Sequence, residues 1–102
     1  MLIIVVGTLK QSWKKFPPAK QSLLSWYEEA ETAIWDNPND IKDQCRNASI
    51  LTGKRVVFNI DGNKFRLIAG IEYRLKIAFV VWFGTHAEYD KLNAKINYVK
   101  KH

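Results

Sequence analysis

The sequence has a single cysteine, Cys45, so no disulfide within the chain can stabilise the fold. Two histidines accompany it, which are too few ligands for a structural zinc site of the usual Cys and His types. No stretch approaches the roughly 20 consecutive apolar residues that a membrane-spanning helix needs. The apolar run at residues 2–6 is too short for the core of a signal peptide, and no basic residue precedes it. These absences argue against a disulfide scaffold, a zinc-stabilised domain and a membrane-spanning chain.

The composition is that of a folded protein. The length of 102 residues suits one domain, and we expect residues 1–102 to form a single one. Four Trp, four Tyr and five Phe, together with abundant Val, Ile and Leu, exclude an intrinsically disordered chain.

Positive charge is concentrated in the second part of the chain. Residues 1–45 contain five Lys and six acidic residues, whereas residues 46–102 contain eleven Lys or Arg and four acidic residues. The second part therefore carries a net charge of +7, which is typical of a surface that binds a polyanion. A solvated basic face is the simpler alternative.

The first part of the chain has helical periodicity after one short strand. We predict a strand at residues 2–6 and a helix that starts with the capping-box spacing of Thr8 and Gln11 and ends at Pro17. A second helix follows, and its predicted buried stripe comprises Ala19, Leu23, Trp26, Tyr27, Ala30 and Ile34. Residues 41–46 fit either a short helix or a loop.

From Arg55 the hydrophobic period changes to two. We predict strands at residues 55–60, 63–73 and 76–83, with turns at residues 61–62 and 74–75. Gly84 should end the third of these strands, and the capping-box spacing of Thr85 and Glu88 predicts a last helix. The order β-α-α-β-β-β-α indicates an α+β fold, an antiparallel sheet with two N-terminal helices packed on one face and a short C-terminal helix.

The predicted turns assign residues to the two faces of the sheet. The core face should carry Val56, Phe58, Ile60, Phe65, Leu67 and Trp82, and the opposite face Arg55, Asn59, Lys64, Arg66, Phe79, Val81 and Phe83. In this register Ile68 pairs with Val81. Cations beside flat rings are typical of surfaces that recognise single-stranded RNA. A solvated outer face with partner-binding Phe residues fits the pattern equally well.

His86 should lie at the first turn of the last helix, where free N–H groups and the helix dipole favour an anion such as phosphate. Tyr89 lies one turn further on, and Asp90 is placed to orient His86. The simpler interpretation is a histidine in a tight strand–helix turn, with Tyr89 packed on the sheet and Asp90 favouring the helix start.

Three motifs of this sequence resemble those of the HigB-type toxins of bacterial type II toxin–antitoxin systems. They read R-V-V-F-N-I from Arg55, G-N-K-F-R-L from Gly62 and G-T-H-A-E-Y-D-K from Gly84. The resemblance extends over almost the whole chain and implies a RelE-like fold. It also implies a cytoplasmic mRNA interferase that cuts translated mRNA on the ribosome. A cognate helix-turn-helix antitoxin, similar to HigA, would neutralise it.

The resemblance further implies roles for particular residues, with no metal or other cofactor. His86, Tyr89, Arg66 and Lys64 would be the catalytic residues, and Arg55, Asn59, Asp90 and Lys91 would bind the substrate. Relatives commonly carry an arginine at the position of Val81 and many carry one at that of Gly70. The alternative is therefore an attenuated or non-catalytic protein that binds ribosome, RNA or antitoxin without efficient cleavage.

Overall fold

The computed structural model describes residues 1–5, 14–51 and 54–96, with side chains up to residue 92. A five-stranded sheet has the order β1-β5-β4-β3-β2. Strand β1 runs parallel to β5, and the other neighbours are antiparallel. The strands are β1 (Leu2–Val5), β2 (Ser49–Ile50), β3 (Arg55–Ile60), β4 (Phe65–Glu72) and β5 (Ile77–Thr85).

Besides the helical residues 14 and 15, three α-helices and one 3₁₀ turn complete the described part of the fold. They are the 3₁₀ turn Pro17–Ala19 and the helices α1 (Lys20–Thr32), α2 (Pro38–Gln44) and α3 (His86–Ile96). Helix α2 resolves the alternative left open by the sequence, since Asn37 caps it by accepting a hydrogen bond from the Asp40 amide at 3.1 Å. The start of the helix predicted from Thr8 lies outside the described residues. None of the described helices is long and apolar enough to cross a membrane.

Helix α1 covers one face of the sheet and forms the main core with it. Its buried residues Leu23, Trp26 and Ala30 confirm most of the predicted stripe. The Trp26 ring meets Phe58 edge-on with centroids 5.3 Å apart. Ile34 was predicted to belong to this stripe, and that is wrong, because α1 ends at Thr32 and Ile34 is 75% exposed.

The first hairpin confirms the predicted faces but not the predicted turn. Ile60 pairs with Phe65, so the loop has four residues, 61–64, instead of two. Because the register differs by two positions, each strand residue keeps its face. The predicted core residues of β3 and β4 are all buried. Lys64, however, lies in the turn and is no longer opposite Asn59.

A β-bulge in β5 overturns part of the second hairpin prediction. The predicted register holds from Glu72–Ile77 to Ala69–Val80, and Ile68 then pairs with Trp82 instead of Val81. The extra residue, Val81, turns the following side chains over. Phe83 therefore lies in the core, and Trp82 lies on the outer face, the reverse of the prediction. The strand also continues through Gly84 to Thr85.

Helix α3 packs on the face opposite to α1. A second apolar cluster forms there, with Val57 and Ile68 buried at its centre. Its half-buried members are Leu51, Val81, Trp82, Tyr89 and Leu92. The outer face is therefore covered in its middle by the helix, and the basic residues predicted for it lie beside this cover.

Candidate functional site

The candidate site begins where β5 passes directly into α3. The Glu88 amide donates to Thr85 Oγ1 at 3.1 Å, and the Thr85 amide donates to Glu88 Oε1 at 2.9 Å. This reciprocal pair is the predicted capping box, and it makes His86 the first residue of the helix. The imidazole thus lies at the helix end that favours negative charge.

Two contacts fix His86. Its backbone amide donates to the carbonyl oxygen of Lys64 at 3.0 Å, which ties the start of α3 to the β3–β4 turn. Its Nε2 lies 3.3 Å from Asp90 Oδ2, one helical turn further on. The His86 side chain is 41% exposed, so it is oriented and still accessible.

Arg66 lies next to the helix start because β4 pairs with both neighbouring strands there. Its partners across the sheet are Asn59 on β3 and Gly84 on β5, two residues before His86. Its Nη2 donates to Asn63 Oδ1 at 2.8 Å. Among the described residues, Arg66 has no carboxylate within salt-bridge distance, so its charge is available to an anion.

Tyr89 lies on α3, three residues after His86. Its ring packs on Trp82 with centroids 6.1 Å apart, within the outer apolar cluster. Burial raises the pKa of the Tyr89 phenol above its ordinary value, the charge of Arg66 lowers it, and that of Asp90 raises it. The phenol is therefore neutral near pH 7, available as a hydrogen-bond donor and near both charges.

The other predicted site residues are less closely grouped. Lys64 was expected on the sheet face beside Arg66, but its side chain is 75% exposed in the turn, with Nζ 3.8 Å from Asp61 Oδ2. Lys91 is exposed on α3. Asn59 is half-buried and also lines a groove of about 490 Å³ between α1 and the β3–β4 turn.

Arg55 lies apart from the group around His86. It is four residues from Asn59 along β3, which is about 13 Å at the usual rise of a strand. It pairs with Gly70, and a Cβ built on that glycine would lie 2.5 Å from Arg55 Nη1. The guanidinium therefore occupies the space beside Gly70. Its Nε is buried with no hydrogen-bond partner among the described residues.

Sequence reasoning missed two contributors to this site. Trp82 was assigned to the core, and only the bulge brings it under Tyr89. Asn63 was predicted to be the first residue of a strand, whereas it lies in the turn and accepts a hydrogen bond from Arg66. The polar Asp-Gly-Asn-Lys run at residues 61–64 was a signal for a longer turn.

The donor set of the site suits acid–base and anion chemistry. Imidazole, phenol and guanidinium can transfer protons or bind an oxyanion. In the part of the chain that the structure describes, no three His, Cys, Asp or Glu side chains come together as metal ligands.

Comparison with known proteins gives concordant results. The profile of the HigB toxin family, described as the RelE-like toxic component of a toxin–antitoxin system, matches residues 19–92. The chain is also 30% identical over 94 residues to a protein of Escherichia coli O6:H1 named mRNA interferase HigB. That alignment covers 90% of this chain and 91% of the relative. The five-stranded, mostly antiparallel sheet with its helices is compatible with a RelE-like fold. The chain belongs to the HigB toxin family, whose members are the RelE-like toxic components of toxin–antitoxin systems.

Proposed function

We propose that this protein is an endoribonuclease that cleaves mRNA, an mRNA interferase with its active site at the start of α3. The observation that carries the proposal is the placement of three side chains around the start of α3. His86 is the first residue of the helix, Tyr89 follows three residues later, and Arg66 is paired with Gly84, two residues before His86. Transesterification of RNA needs proton transfer and stabilisation of negative charge. An imidazole, a phenol and a guanidinium with no carboxylate partner among the described residues can supply both. The relative of 30% identity is named an mRNA interferase, which supports the same activity.

The reaction needs no metal, because RNA carries its own nucleophile. The 2′-oxygen attacks the adjacent phosphorus while the bond from phosphorus to the 5′-oxygen breaks, which leaves a 2′,3′-cyclic phosphate and a 5′-hydroxyl. A base takes the proton of the 2′-hydroxyl, and an acid gives one to the leaving 5′-oxygen. His86 performs one of these transfers, and Asp90, 3.3 Å from its Nε2, orients the ring.

Positive charge stabilises the pentacovalent phosphorane. Arg66 contacts the phosphate oxygens, and the N-terminal end of α3 adds to the favourable field. The neutral phenol of Tyr89 donates a hydrogen bond to the 2′-oxygen or to the phosphate. The exposed turn residue Lys64 attracts the substrate, although it lies further from the face than the sequence predicted.

The remaining candidates hold the flanking RNA backbone. Asn59, paired with Arg66, and the exposed Lys91 of α3 contact the backbone near the catalytic group, and Arg55 binds a phosphate further along the strand. The guanidinium of Arg55 beside Gly70 supplies charge at a position where many relatives carry an arginine of their own. At this position the local chemistry favours an active enzyme over the attenuated alternative.

The substrate is mRNA undergoing translation on the ribosome, and a helix-turn-helix antitoxin similar to HigA inhibits the enzyme in the cytoplasm. Membership of a toxin–antitoxin family supports the antitoxin partner. The net charge of +6 supports a polyanionic target such as a ribosome carrying mRNA.

The test is a purified translation system with a defined mRNA, in which cleavage sites are mapped by primer extension. We expect cuts only when the mRNA is translated, and none after a cognate antitoxin is added. Cutting of free mRNA at an equal rate would refute ribosome dependence. Ribosome binding by co-sedimentation, with no cut at any protein concentration, would establish the non-catalytic alternative.

A further inference from the structure

The β3–β4 turn makes two contacts to the candidate site that the proposed mechanism does not use. Asn63 Oδ1 accepts a hydrogen bond of 2.8 Å from Arg66 Nη2. The carbonyl oxygen of Lys64 accepts the His86 amide at 3.0 Å. One exposed turn therefore touches both the cation and the helix that carries the imidazole.

We propose that Asn63 is a positioning residue that holds the Arg66 guanidinium in the orientation that meets the scissile phosphate. The inference rests on the proposed function. It assigns Asn63 a part in catalysis that neither the resemblance nor the comparisons give it.

The chemistry of the contact explains why an amide suits this place. A guanidinium has only N–H donors, so the amide oxygen of Asn63 faces Arg66 and its NH₂ group points elsewhere. The other Arg66 contact, to the carbonyl oxygen of Phe65 at 3.4 Å, is long and weak. The hydrogen bond to Asn63 is thus the main interaction that restricts the Arg66 side chain, which otherwise has considerable rotamer freedom. Being neutral, Asn63 orients the cation without competing with the phosphate for its charge.

The turn is closed by a backbone hydrogen bond across Asn63. Asp61 and Gly62 both have positive φ, 55° and 65°, and the Lys64 amide donates to the Asp61 carbonyl oxygen at 3.2 Å. Glycine adopts positive φ without strain, and the bond from Lys64 closes the turn around Asn63. The contact therefore links β4 to a hydrogen-bonded turn.

The first experiment is a double-mutant cycle with Asn63→Ala, Arg66→Ala and the double variant, measured as single-turnover cleavage of translated mRNA. We expect Asn63→Ala to slow the chemical step by about 10-fold, which is the effect on rate of losing one hydrogen bond to a charged group. In the Arg66→Ala background the same change should alter the rate by less than about 2-fold, because its effect passes through Arg66. Asn39→Ala, at an exposed asparagine of α2, is the matched control.

The second experiment measures the order of the Arg66 side chain without substrate, from the relaxation of its Nε–H signal in NMR. Asn63→Ala should lower the order, whereas Asn63→Asp should keep it because a carboxylate still accepts the hydrogen bond. Asn63→Asp should nevertheless raise the half-saturating substrate concentration, since its negative charge competes with the phosphate.

The outcomes separate this inference from the proposed function. Wild-type cleavage by Arg66→Ala overturns the role of Arg66 and this inference with it. Slow cleavage by Arg66→Ala with wild-type cleavage by Asn63→Ala overturns the inference alone. Equal effects of Asn63→Ala in both backgrounds, or unchanged Arg66 order, also overturn it.

Discussion

Replacement of His86 by alanine should nearly abolish cleavage and leave the fold intact. The stability change is small, because the side chain is 41% exposed and its partner Asp90 is 65% exposed. A pair of this kind contributes about 0.3–0.5 kcal/mol on a helix surface. For a domain of this size, that shifts the melting temperature by roughly 4 °C at most. The backbone bond to Lys64 and the capping box remain.

The loss of activity should be much larger. Removal of a general acid or base slows a reaction by about 100-fold or more, which is about 2.7 kcal/mol in the barrier. The barrier therefore changes several times more than the free energy of unfolding. The measurement is single-turnover cleavage in a purified translation system, with thermal melting on the same preparation.

Glu88→Ala is the matched control for the helix start. It removes the carboxylate that accepts the hydrogen bond from the Thr85 amide, whereas the Glu88 backbone amide still donates to Thr85 Oγ1. The loss of this one hydrogen bond should lower stability by about 1 kcal/mol. The variant leaves the imidazole in place, so it should keep most of the cleavage activity despite melting earlier than His86→Ala. If His86→Ala cleaves at the wild-type rate, or if Glu88→Ala is equally inactive, the chemical role of His86 is wrong.

Three further predictions follow from the outer face. Tyr89→Phe should keep the ring packing on Trp82 and melt at the wild-type temperature near pH 7. Because the pKa of Tyr89 is raised in the folded state, the contribution of the phenol to stability is present below pH 10 and lost above it, so the variant should lose less stability than the wild type when the pH is raised above 10. Val81→Arg should increase cleavage and lower the free energy of unfolding by about 1 kcal/mol or less, since the aliphatic part of the arginine can lie along the half-buried outer cluster. A large fall in melting temperature would refute the placement of residue 81 on the outer face. Binding to ribosomes should weaken steeply with salt, with a slope of about −0.7 per neutralised phosphate of single-stranded RNA, and a flat response would contradict a polyanionic partner.

Alternation of apolar and polar residues predicted the faces of β3 and β4 because it is a property of neighbouring residues. The turn length was wrong, yet Val56, Phe58 and Ile60 kept the core face because the register differed by an even number of positions. The capping box of α3 was predicted for the same reason, since Thr85 and Glu88 are three residues apart and contact each other directly. Local rules sufficed wherever the partners were close in sequence.

Long-range features escaped these rules. The pairing of β4 with β5 contains a bulge at Val81 that the alternation of apolar and polar residues does not predict, so Trp82 and Phe83 were assigned to each other's faces. The end of α1 before Ile34 is another case, because the buried Trp35 takes the core position that periodicity gave to Ile34. The roles given to the site residues came from the resemblance, whereas the contacts of Asn63 and Trp82 needed the structure.

The bulge also explains why the candidate site can form at the end of this strand. It places Trp82 on the outer face, where the indole forms the floor on which Tyr89 packs. A Cβ at Gly84 would lie 2.8 Å from that indole and 2.9 Å from Glu88 Oε1. The indole and the Glu88 carboxylate of the capping box therefore both occupy the space that a side chain at residue 84 would need. Glycine lets both approach the strand across from Arg66, and α3 can then begin directly at His86. The residue that looked like a strand breaker in the sequence thus brings the imidazole and the guanidinium to the same edge of the sheet.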